Sequence, residues 1–474
     1  MEEAITIAQD SSLRAFIEKN EYLSDYWDFR TYQAEFLPKL ELRATPFNYE
    51  RAVREEYNSQ NEEYQYIQSE RLKSFANLSV TQNIPFTGGR IYIDSDLGRI
   101  QNIGGKIEYS STPIRIGIRQ DLFDFNSFKW KKKTEPVEFE RSKKNFFQSS
   151  QEIANTTIYY FFNLLFAQIE LKIAQNDFAI ADTLYQDGLK RHEKDAISLE
   201  DLYSLELSLM DASSDLERLE KNIRRSQTRL LSFLRMDKSL DVELIPPDNI
   251  HSINIEEQLA IEMARKNNPD ILNIKLDKLY AEQNVERAKK SRYSADLSIS
   301  MGLNQTTDDN IIRNVYTDLE NQQRVEVSMN IPIVDWGLSK KRIKLAESNR
   351  EVVMARMEQQ EIDFNENVIR TVEEFNMQKK LVERAAKADT LAQMMYDVTQ
   401  QRYMIGELDI IKLNSAQNKK NSARKDYFGR LQEYWRYFYE IRVLTLYDFT
   451  KNKELSIDYS DFFQASVLKT LKEE

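Results

Sequence analysis

Residue types that supply chemistry or covalent cross-links are scarce in this sequence. It has no cysteine and only two histidines, His192 and His251, among 474 residues. The lack of cysteine excludes disulfides, thiolate metal sites and cysteine nucleophiles, and two isolated histidines give little support to acid–base catalysis. We therefore expect neither an enzyme nor a metal or cofactor site.

A net positive charge and long apolar runs are lacking as well. The formal net charge is -11, which argues against a nucleic-acid partner because such partners are bound by clustered basic residues. No apolar run approaches the ~18–20 residues of a membrane-spanning helix. A signal peptide is not recognisable at the start, so two expectations stay open: a cytoplasmic protein, or a mature chain whose signal peptide has been removed.

Glycine (11) and proline (9) are also few, whereas charged residues make up 30% of the chain. This composition favours long helices with charged faces. A helical period runs through residues 4–36, 126–194, 202–235, 255–293, 339–405 and 409–446, and residues 195–201 interrupt it. Alternation of apolar and polar residues, which is typical of strands with two unlike faces, occupies parts of 39–121 and 296–334. Residues 50–73 lack a clear period and are predicted to be either an exposed loop or a loosely formed strand. The tail 448–474 is predicted to be irregular.

The predicted helices and strands occur twice in the same order. At a shift of 211 positions, Ile114–Ile118 aligns with Val325–Met329. Upstream, Ala4–Ile5 aligns with Ala260–Ile261 at a shift of 256, and the difference leaves 45 extra residues in the first strand region, as an added hairpin or a long loop. We therefore divide the chain into a first repeat 1–235, a connector 236–254, a second repeat 255–447 and the tail 448–474.

The lengths of the helices set the predicted architecture. Residues 339–405 would form a helix of ~100 Å, and helices of this length are expected to pack side by side like a coiled coil. The fold class is therefore α+β, mainly α, with very long helical hairpins. About four strands per chain cannot close a barrel, and an open edge in lipid leaves backbone groups unpaired. Either several chains share one barrel, or the strands form a small soluble sheet capped by helices.

Each long hairpin is predicted to turn at a short tip, near 195–201 and near 406–412. Gly406 is the only glycine between Gly337 and Gly429, and glycine is common just past the end of a helix. Asp409 suits the N-cap of the helix that follows. Asp195 stands at the position of Gly406 in the first repeat, and aspartate accepts a left-handed backbone better than most residues do.

Several features together resemble the TolC-like outer-membrane efflux protein family, over about residues 4–447. They are the tandem repeat, the dipeptide Asn268–Pro269, and the strand-to-helix junctions at 120–125 and 330–337. The two tips also look like the family's turn, G-x-x-[S/T]-x-x-[D/E]-[V/L]. The segment Ile84–Gly89 resembles a Bacteroidetes-type variant of the family.

The resemblance implies a homotrimer in which four strands from each chain form a twelve-stranded barrel within outer-membrane lipid. The barrel would continue into an α-helical tunnel in the periplasm, and the signal peptide would have been removed. Family members act as passive exit ducts of tripartite efflux or type I secretion systems. They dock on a periplasmic adaptor (membrane fusion) protein and an inner-membrane RND or ABC pump. The alternative is a coiled-coil scaffold protein with a small β-cap and no pore.

Residue by residue, the resemblance assigns the periplasmic aperture to six tip residues: Asp195, Ser198, Asp201, Gly406, Asp409 and Lys412. Lys412 stands where the family's second tip usually carries an acidic residue, which leaves the charge selectivity of the aperture open. The alternative for Asp201 and Asp409 is that they are ordinary helix caps or first-turn carboxylates.

Apolar residues near the tips are candidates for docking the adaptor. They are Ile197, Ile405 and Leu408, together with Gly406 between them, and the alternative is packing within the hairpin. Trp130 and Trp336 follow predicted strands, where aromatic residues suit a membrane interface. Simple packing at the junction between barrel and tunnel would explain the two tryptophans equally well.

Overall fold

The structure is a computed structural model that describes residues 1–58, 62–247, 250, 253–308, 310–405, 407–408 and 410–455. The described part of the chain forms eight α-helices: α1 Glu2–Ser11, α2 Leu13–Ala34, α3 Ser127–His192, α4 Leu199–Leu234, α5 Glu257–Asn267, α6 Pro269–Lys290, α7 Leu338–Met404 and α8 Ile410–Thr445. No helix among these residues is both long and apolar enough to cross a membrane. The prediction of a mainly helical α+β fold with long helical hairpins is confirmed.

Eight β-strands accompany the helices within the described residues: β1 Lys39–Asn58, β2 Glu63–Asn83, β3 Arg90–Asn102, β4 Ile107–Asp121, β5 Ser294–Thr307, β6 Glu320–Asn330, β7 Tyr447–Asp448 and β8 Lys453–Glu454. A short 3-10 helix, Ile312–Tyr316, lies between β5 and β6. β7 and β8 pair with each other in a stretch that was expected to be irregular. Their turn is held by Asp448, whose carboxylate accepts a hydrogen bond of 2.9 Å from the backbone N–H of Thr450. Residues 456–474 lie outside the described part.

Corresponding helices repeat at two fixed shifts. α2 and α6 have 22 residues each, and their bounds differ by 256 positions at both ends. α4 and α8 have 36 residues each, and their bounds differ by 211 positions at both ends. β1 follows α2 as β5 follows α6, and β4 precedes α3 as β6 precedes α7. β2 and β3 therefore have no counterpart in the second repeat, and they account for the extra residues of the first.

The chain divides into two compact units. The first comprises Met1–Ser24, Glu140–Asn273 and Gln359–Glu474, and the second comprises Asp25–Phe139 and Ile274–Glu358. The four helices α2, α3, α6 and α7 each contribute residues to both units.

The core of the first unit follows the heptad spacing expected of packed long helices. On α7, the buried residues Val368, Phe375 and Val382 are seven apart, and Thr371, Gln378 and Ala385 form the parallel series. A hydrophobic repeat of this period keeps one seam facing its neighbours and favours coiled-coil packing. On α8, Tyr434 is fully buried, and its ring centroid lies 5.3 Å from that of Phe375.

The second unit contains a six-stranded antiparallel sheet in the order β1-β2-β3-β4-β5-β6. β4 and β5 pair from Asp121–Asp296 to Tyr109–Thr307 and so join the strands of the two repeats. Among the described residues of the segment 50–73, whose period was unclear, all but Glu62 lie within β1 and β2. Four of the six strands are the repeat-matched strands that the sequence predicted, and β2 and β3 are the added pair.

Directly paired residues of antiparallel strands point to the same side of the sheet, so the register defines its two faces. We call one side the apolar face; its apolar residues are Leu40, Leu42, Ala44, Ala76, Leu78, Val80, Ile91, Ile93, Leu97, Ile114, Ile116, Ile118, Leu297, Ile299, Met301, Leu303, Val325, Val327 and Met329. Many of them are exposed, up to 71% for Leu42 and 70% for Val325.

The opposite side, the polar face, carries charged and hydroxyl side chains from all six strands. On it the Arg115 guanidinium bridges the carboxylates of Asp94 and Asp96 at 2.7 and 2.9 Å. Lys39 pairs with Glu41 on β1, and Arg324 pairs with Glu326 on β6, both at 2.9 Å. The sheet thus presents one continuous apolar surface and one continuous charged surface.

Candidate functional site: the helix tips

The tip of the first hairpin turns through a left-handed residue. α3 ends at His192, and Asp195 has a φ of 52°, the conformation expected at this position from the sequence. The N–H of Ala196 donates to the carbonyl of Arg191 at 2.8 Å, which satisfies a carbonyl that the end of the helix leaves free. The imidazole Nδ1 of His192 lies 3.2 Å from the carbonyl oxygen of Ile197 and helps to hold the turn closed.

Ser198 and Asp201 cap the first turn of α4 reciprocally. The backbone N–H of Asp201 donates to Ser198 Oγ at 3.0 Å, while the Asp201 carboxylate accepts from the Ser198 backbone N–H at 3.3 Å and from its hydroxyl at 2.7 Å. This arrangement is a capping box, and it satisfies two backbone donors at the start of the helix. Asp195, Ser198 and Asp201 are all exposed, so the cap leaves the Asp201 carboxylate accessible to solvent.

The second tip repeats the backbone pattern of the first. The N–H of Glu407 donates to the carbonyl of Arg402 at 3.0 Å, which corresponds to the Ala196–Arg191 bond at the shift of 211. Arg402 also forms an ion pair of 2.9 Å with Glu407, a contact that was not predicted from the sequence. Lys412 is exposed in the first turn of α8. The predicted aperture residues Gly406 and Asp409 lie outside the described residues.

Apolar side chains near both tips differ in how far they are covered. Ile197 and Leu408 are half-buried, whereas Ile405 is 71% exposed. Ile411, which was not predicted from the sequence, is 74% exposed. The sequence contained a sign of this exposed residue. Ile411 is apolar, lies between Ile410 and the buried Leu413, and comes just after the predicted cap of the helix. The exposed pair Ile405 and Ile411 is the better candidate for contact with another molecule.

A glycine near the first tip lies at a close contact between α3 and α4. A Cβ placed on Gly188 would lie 2.5 Å from Leu205 Cδ1, which is shorter than van der Waals contact allows, so the Leu205 side chain would have to move. Glycine lowers helix propensity, and at this position it leaves room for the Leu205 side chain. This role was not predicted from the sequence, because the glycine lies within an otherwise regular helical period.

Further from the tips, a group of polar residues joins α3, α7 and α8. Asp177 accepts hydrogen bonds from the side-chain amides of Gln417 at 2.6 Å and Asn421 at 3.0 Å. Burial raises the pKa of Asp177 above its ordinary value, although these two amide donors oppose the shift. The Lys420 ammonium lies 3.9 Å from the centroid of the Tyr396 ring, and burial lowers the pKa of Lys420.

Asp177 and the two amides also line a cavity of about 490 Å³ between α3, α4 and α8. The cavity wall includes four carboxylates: Glu170, Asp177, Asp211 and Asp215. Two of them have cationic partners, since Glu170 pairs with Lys425 at 2.9 Å and Asp215 pairs with Arg218 at 2.8 Å. The cavity is thus a polar groove between helices in which cations balance two of the four carboxylates.

Comparison with known sequences finds a similarity for the second repeat. Residues 260–437 match the sequence model of the outer membrane efflux protein family, a stretch that runs from α5 through α8 and includes the second tip. The first repeat has the same helices at the shifts of 211 and 256. Over residues 260–437 the chain is therefore similar in sequence to outer membrane efflux proteins. No curated protein sequence matches it.

Solved outer membrane proteins have the same fold. The Campylobacter jejuni CmeC outer membrane channel superimposes with a TM-score of 0.68 at 13% identity, over 98% of this chain and 88% of that one. The Neisseria gonorrhoeae MtrE outer membrane channel, in its open state, gives a TM-score of 0.62 at 13% identity, over 96% and 90% of the chains. The outer membrane protein VceC from Vibrio cholerae gives 0.63 at 10% identity, over 96% of each.

The two candidate interface tryptophans have different surroundings. Trp130 is only 3% exposed, and its indole N–H donates to a Glu286 carboxylate oxygen at 3.1 Å. Its burial favours the packing alternative. Trp336 is 88% exposed with a φ of 52°, so it remains a candidate for contact with a membrane. The neighbouring Asp335 accepts hydrogen bonds from Ser339 and from the N–H group of Gly337, which lower its pKa to about 2.

Proposed function

We propose that this chain is one subunit of a homotrimeric channel in the bacterial outer membrane. The trimer would serve as the passive exit duct of a tripartite efflux or type I secretion system. Its sheets would form a barrel in the lipid of the outer membrane, and its long helices would form a tunnel in the periplasm. A periplasmic adaptor protein and an inner-membrane RND or ABC pump would supply substrate and energy.

The observation that carries this proposal is the two-faced sheet of the second unit. Its apolar face runs across all six strands, from Leu42 on β1 to Val325 on β6, and much of it is exposed. An exposed apolar surface of this extent is unfavourable in water and marks a membrane or a partner. Strands that alternate apolar and polar residues are the pattern of a membrane barrel with an aqueous lumen. Residues such as Arg115 and Asp94 on the polar face would then line that lumen.

The helix tips supply the aperture and the docking surface in this proposal. Four of the predicted aperture residues are exposed at the two tips: Asp195, Ser198, Asp201 and Lys412. Gly406 and Asp409 belong to the second tip in the sequence. Around a three-fold axis each charge would occur three times, and like charges near one another resist ionisation. The exposed apolar residues Ile405 and Ile411 fit the contact with an adaptor, joined by Ile197 and Leu408 at their margins.

Oligomeric state and conductance test the proposal directly. The full chain, expressed with a secretion signal, should require detergent for extraction from the outer membrane and should elute as a trimer. In a planar bilayer it should give discrete conductance steps. A water-soluble monomer without conductance would contradict the proposal and favour the scaffold alternative.

Adjacent residues of β5 provide a matched pair of variants for the membrane itself. Met301 lies on the apolar face and Ser300 on the polar face. An arginine that faces lipid near the bilayer centre costs about 2–4 kcal/mol, whereas lumen positions tolerate charge. Met301→Arg should therefore lower the yield of inserted trimer, and Ser300→Arg should not. A scaffold protein in water would tolerate Met301→Arg, because that side chain is already 60% exposed.

A further inference from the structure

The two edges of the sheet are formed by β1 and β6. Within the described residues each of these strands pairs on one side only, β1 with β2 and β6 with β5. The apolar face reaches both edges: Leu40 and Leu42 are 65% and 71% exposed, and Val327 and Met329 are 58% and 61% exposed. Unpaired backbone groups at such edges cost several kcal/mol each in lipid, so both edges need a partner strand.

The stretches available for pairing can overlap over seven residues. On β1, the bulge between Thr45 and Asn48 contains Pro46, which has no N–H to donate and is typical of the end of a paired edge. Lys39–Thr45 is therefore a regular edge of seven residues. β6 pairs regularly with β5 along all eleven of its residues, so its last seven, Arg324–Asn330, can face this stretch of β1.

The register across the sheet fixes its stagger. Lys39 pairs with Thr81, Thr81 with Tyr92 and Tyr92 with Gly117. Gly117 pairs with Ser300 and Ser300 with Arg324. A line drawn perpendicular to the strands through Lys39, the first residue of β1, thus crosses β6 at Arg324. Arg324 lies six residues before Asn330, the last residue of β6.

This stagger has the size that a closed barrel requires. Suppose that the first residue of β1 is level with the last residue of β6 in the neighbouring copy. The strand register then shifts by six residues of ~3.3 Å rise over the width of one chain, which is six strand spacings of ~4.8 Å. The strands then tilt by about 35°, within the range of about 35–45° found in membrane barrels.

We infer that β1 of one copy pairs antiparallel with β6 of the next, with Lys39 opposite Asn330, so that three copies close a wall of eighteen strands. The inference rests on the trimer of the proposed function. It differs from the twelve strands that the family resemblance implied, because β2 and β3 stand in the same hydrogen-bonded wall as the four repeat-matched strands. A barrel's diameter grows roughly in proportion to its strand number, so this one would be about half as wide again.

Side chains at the two edges match in this register. On the apolar face, Leu40 lies opposite Met329 and Leu42 opposite Val327. On the polar face, Arg43 lies opposite Glu326, which places unlike charges together. A slip of two residues that sets Glu41 opposite Glu326 would also set Arg43 opposite Arg324, and facing like charges destabilise a strand pair.

A slip of four residues in the same direction would place Lys39 opposite Glu326 and Glu41 opposite Arg324, and so would offer two unlike pairs. It leaves a stagger of only two residues for each chain, however, which corresponds to a tilt of about 13° and falls well below the range for barrels. Each exposed ion pair contributes at most about 1 kcal/mol, which does not compensate for a barrel that cannot close.

Cysteine cross-linking tests the contact, because the natural chain contains no cysteine. In the double variant Arg43→Cys, Glu326→Cys, oxidation with copper phenanthroline should link chains into covalent dimers and trimers on non-reducing gels. Facing residues of an antiparallel pair lie close enough for a disulfide. Each single variant should give several-fold less product, as should Leu42→Cys with Glu326→Cys, because Leu42 points to the opposite face. The unoxidised double variant should conduct like the wild type.

The competing arrangement has its own probe. If β1 and β2 lay outside the wall, β3 would form the edge, and Tyr92→Cys with Ser328→Cys would link chains instead. That result, or a conducting trimer in which Arg43→Cys and Glu326→Cys do not link, would overturn the eighteen-stranded wall and leave the proposed channel standing. A soluble monomer without conductance would overturn both.

Discussion

The Asn268 side chain joins the start of α6 to the end of α8. Its Nδ2 donates to the carbonyl of Leu444 at 2.9 Å, and its Oδ1 accepts from the backbone N–H of Asp270 at 2.8 Å. The residue is fully buried, and Pro269 occupies the first helical position after it, where proline's fixed φ is favourable. One amide thus caps one helix and satisfies a carbonyl at the end of another.

Replacement of Asn268 by alanine should destabilise the first unit. The variant loses an N-cap and leaves a buried carbonyl without its donor, which together cost about 2–3 kcal/mol. Asn268→Ser should cost less, because serine keeps the cap. Ser12, its counterpart in the first repeat, caps α2 through a bond of 3.1 Å to the N–H of Ala15. Thermal unfolding in detergent measures the loss of stability. The control is Asn20→Ala at an exposed position, which should change the free energy of unfolding by no more than about 0.5 kcal/mol.

The left-handed backbone of Asp195 predicts opposite effects for two substitutions. Asp195→Gly should stabilise the first tip slightly, because glycine adopts positive φ without steric cost. Asp195→Val should destabilise it by about 1–3 kcal/mol, since a β-branched residue is strained there. Hydrogen exchange of the amides of residues 193–198 measures the local opening. Glu193→Val is the control, because Glu193 is exposed in the same turn without a positive φ; equal effects at both positions would contradict the role of backbone strain.

The sequence predicted those parts of the fold that arise from local patterns. Helix periodicity and the shift of 211 located α4 and α8 and their tips, and the left-handed Asp195 followed from its alignment with Gly406. The strand segment 50–73 was less clear because its residues, such as Arg51 and Glu70, form a cross-strand ion pair of 3.0 Å instead of an alternating apolar face. The contacts of Gly188 with Leu205 and of Asp177 with Gln417 join different helices, and no local pattern specifies such pairs.

Asp177 predicts a pH dependence of stability. Because burial raises its pKa in the folded state, the native protein holds this proton more tightly than the unfolded chain does. Stability should therefore increase as the pH falls through the raised pKa toward the ordinary value of 3.8. The unfolding temperature of the wild type, measured against Asp177→Asn, should thus rise between pH 7 and pH 4. Asp182→Asn, on the exposed side of the same helix, is the control, and an equal pH dependence there would contradict the prediction.

Charge and capping can be separated at the proposed aperture. Asp201 is both an exposed carboxylate and half of the capping box with Ser198, so a change at Asp201 alone is ambiguous. Ser198→Ala removes the hydroxyl of the cap, at a cost of about 1 kcal/mol, and retains the charge. Asp201→Asn removes the charge and retains a side-chain oxygen that can accept a hydrogen bond.

If the Asp201 carboxylates act on passing ions, Asp201→Asn should change single-channel conductance and its dependence on salt concentration, because charges at a constriction are screened by salt. Ser198→Ala should leave both close to the wild type. Glu373→Gln, at an exposed position in the middle of α7, should do the same although it removes the same charge. A change of equal size in Ser198→Ala would assign the effect to the shape of the tip, and a change of equal size in Glu373→Gln would assign it to the overall charge of the tunnel; either result would remove the case for a gate at Asp201.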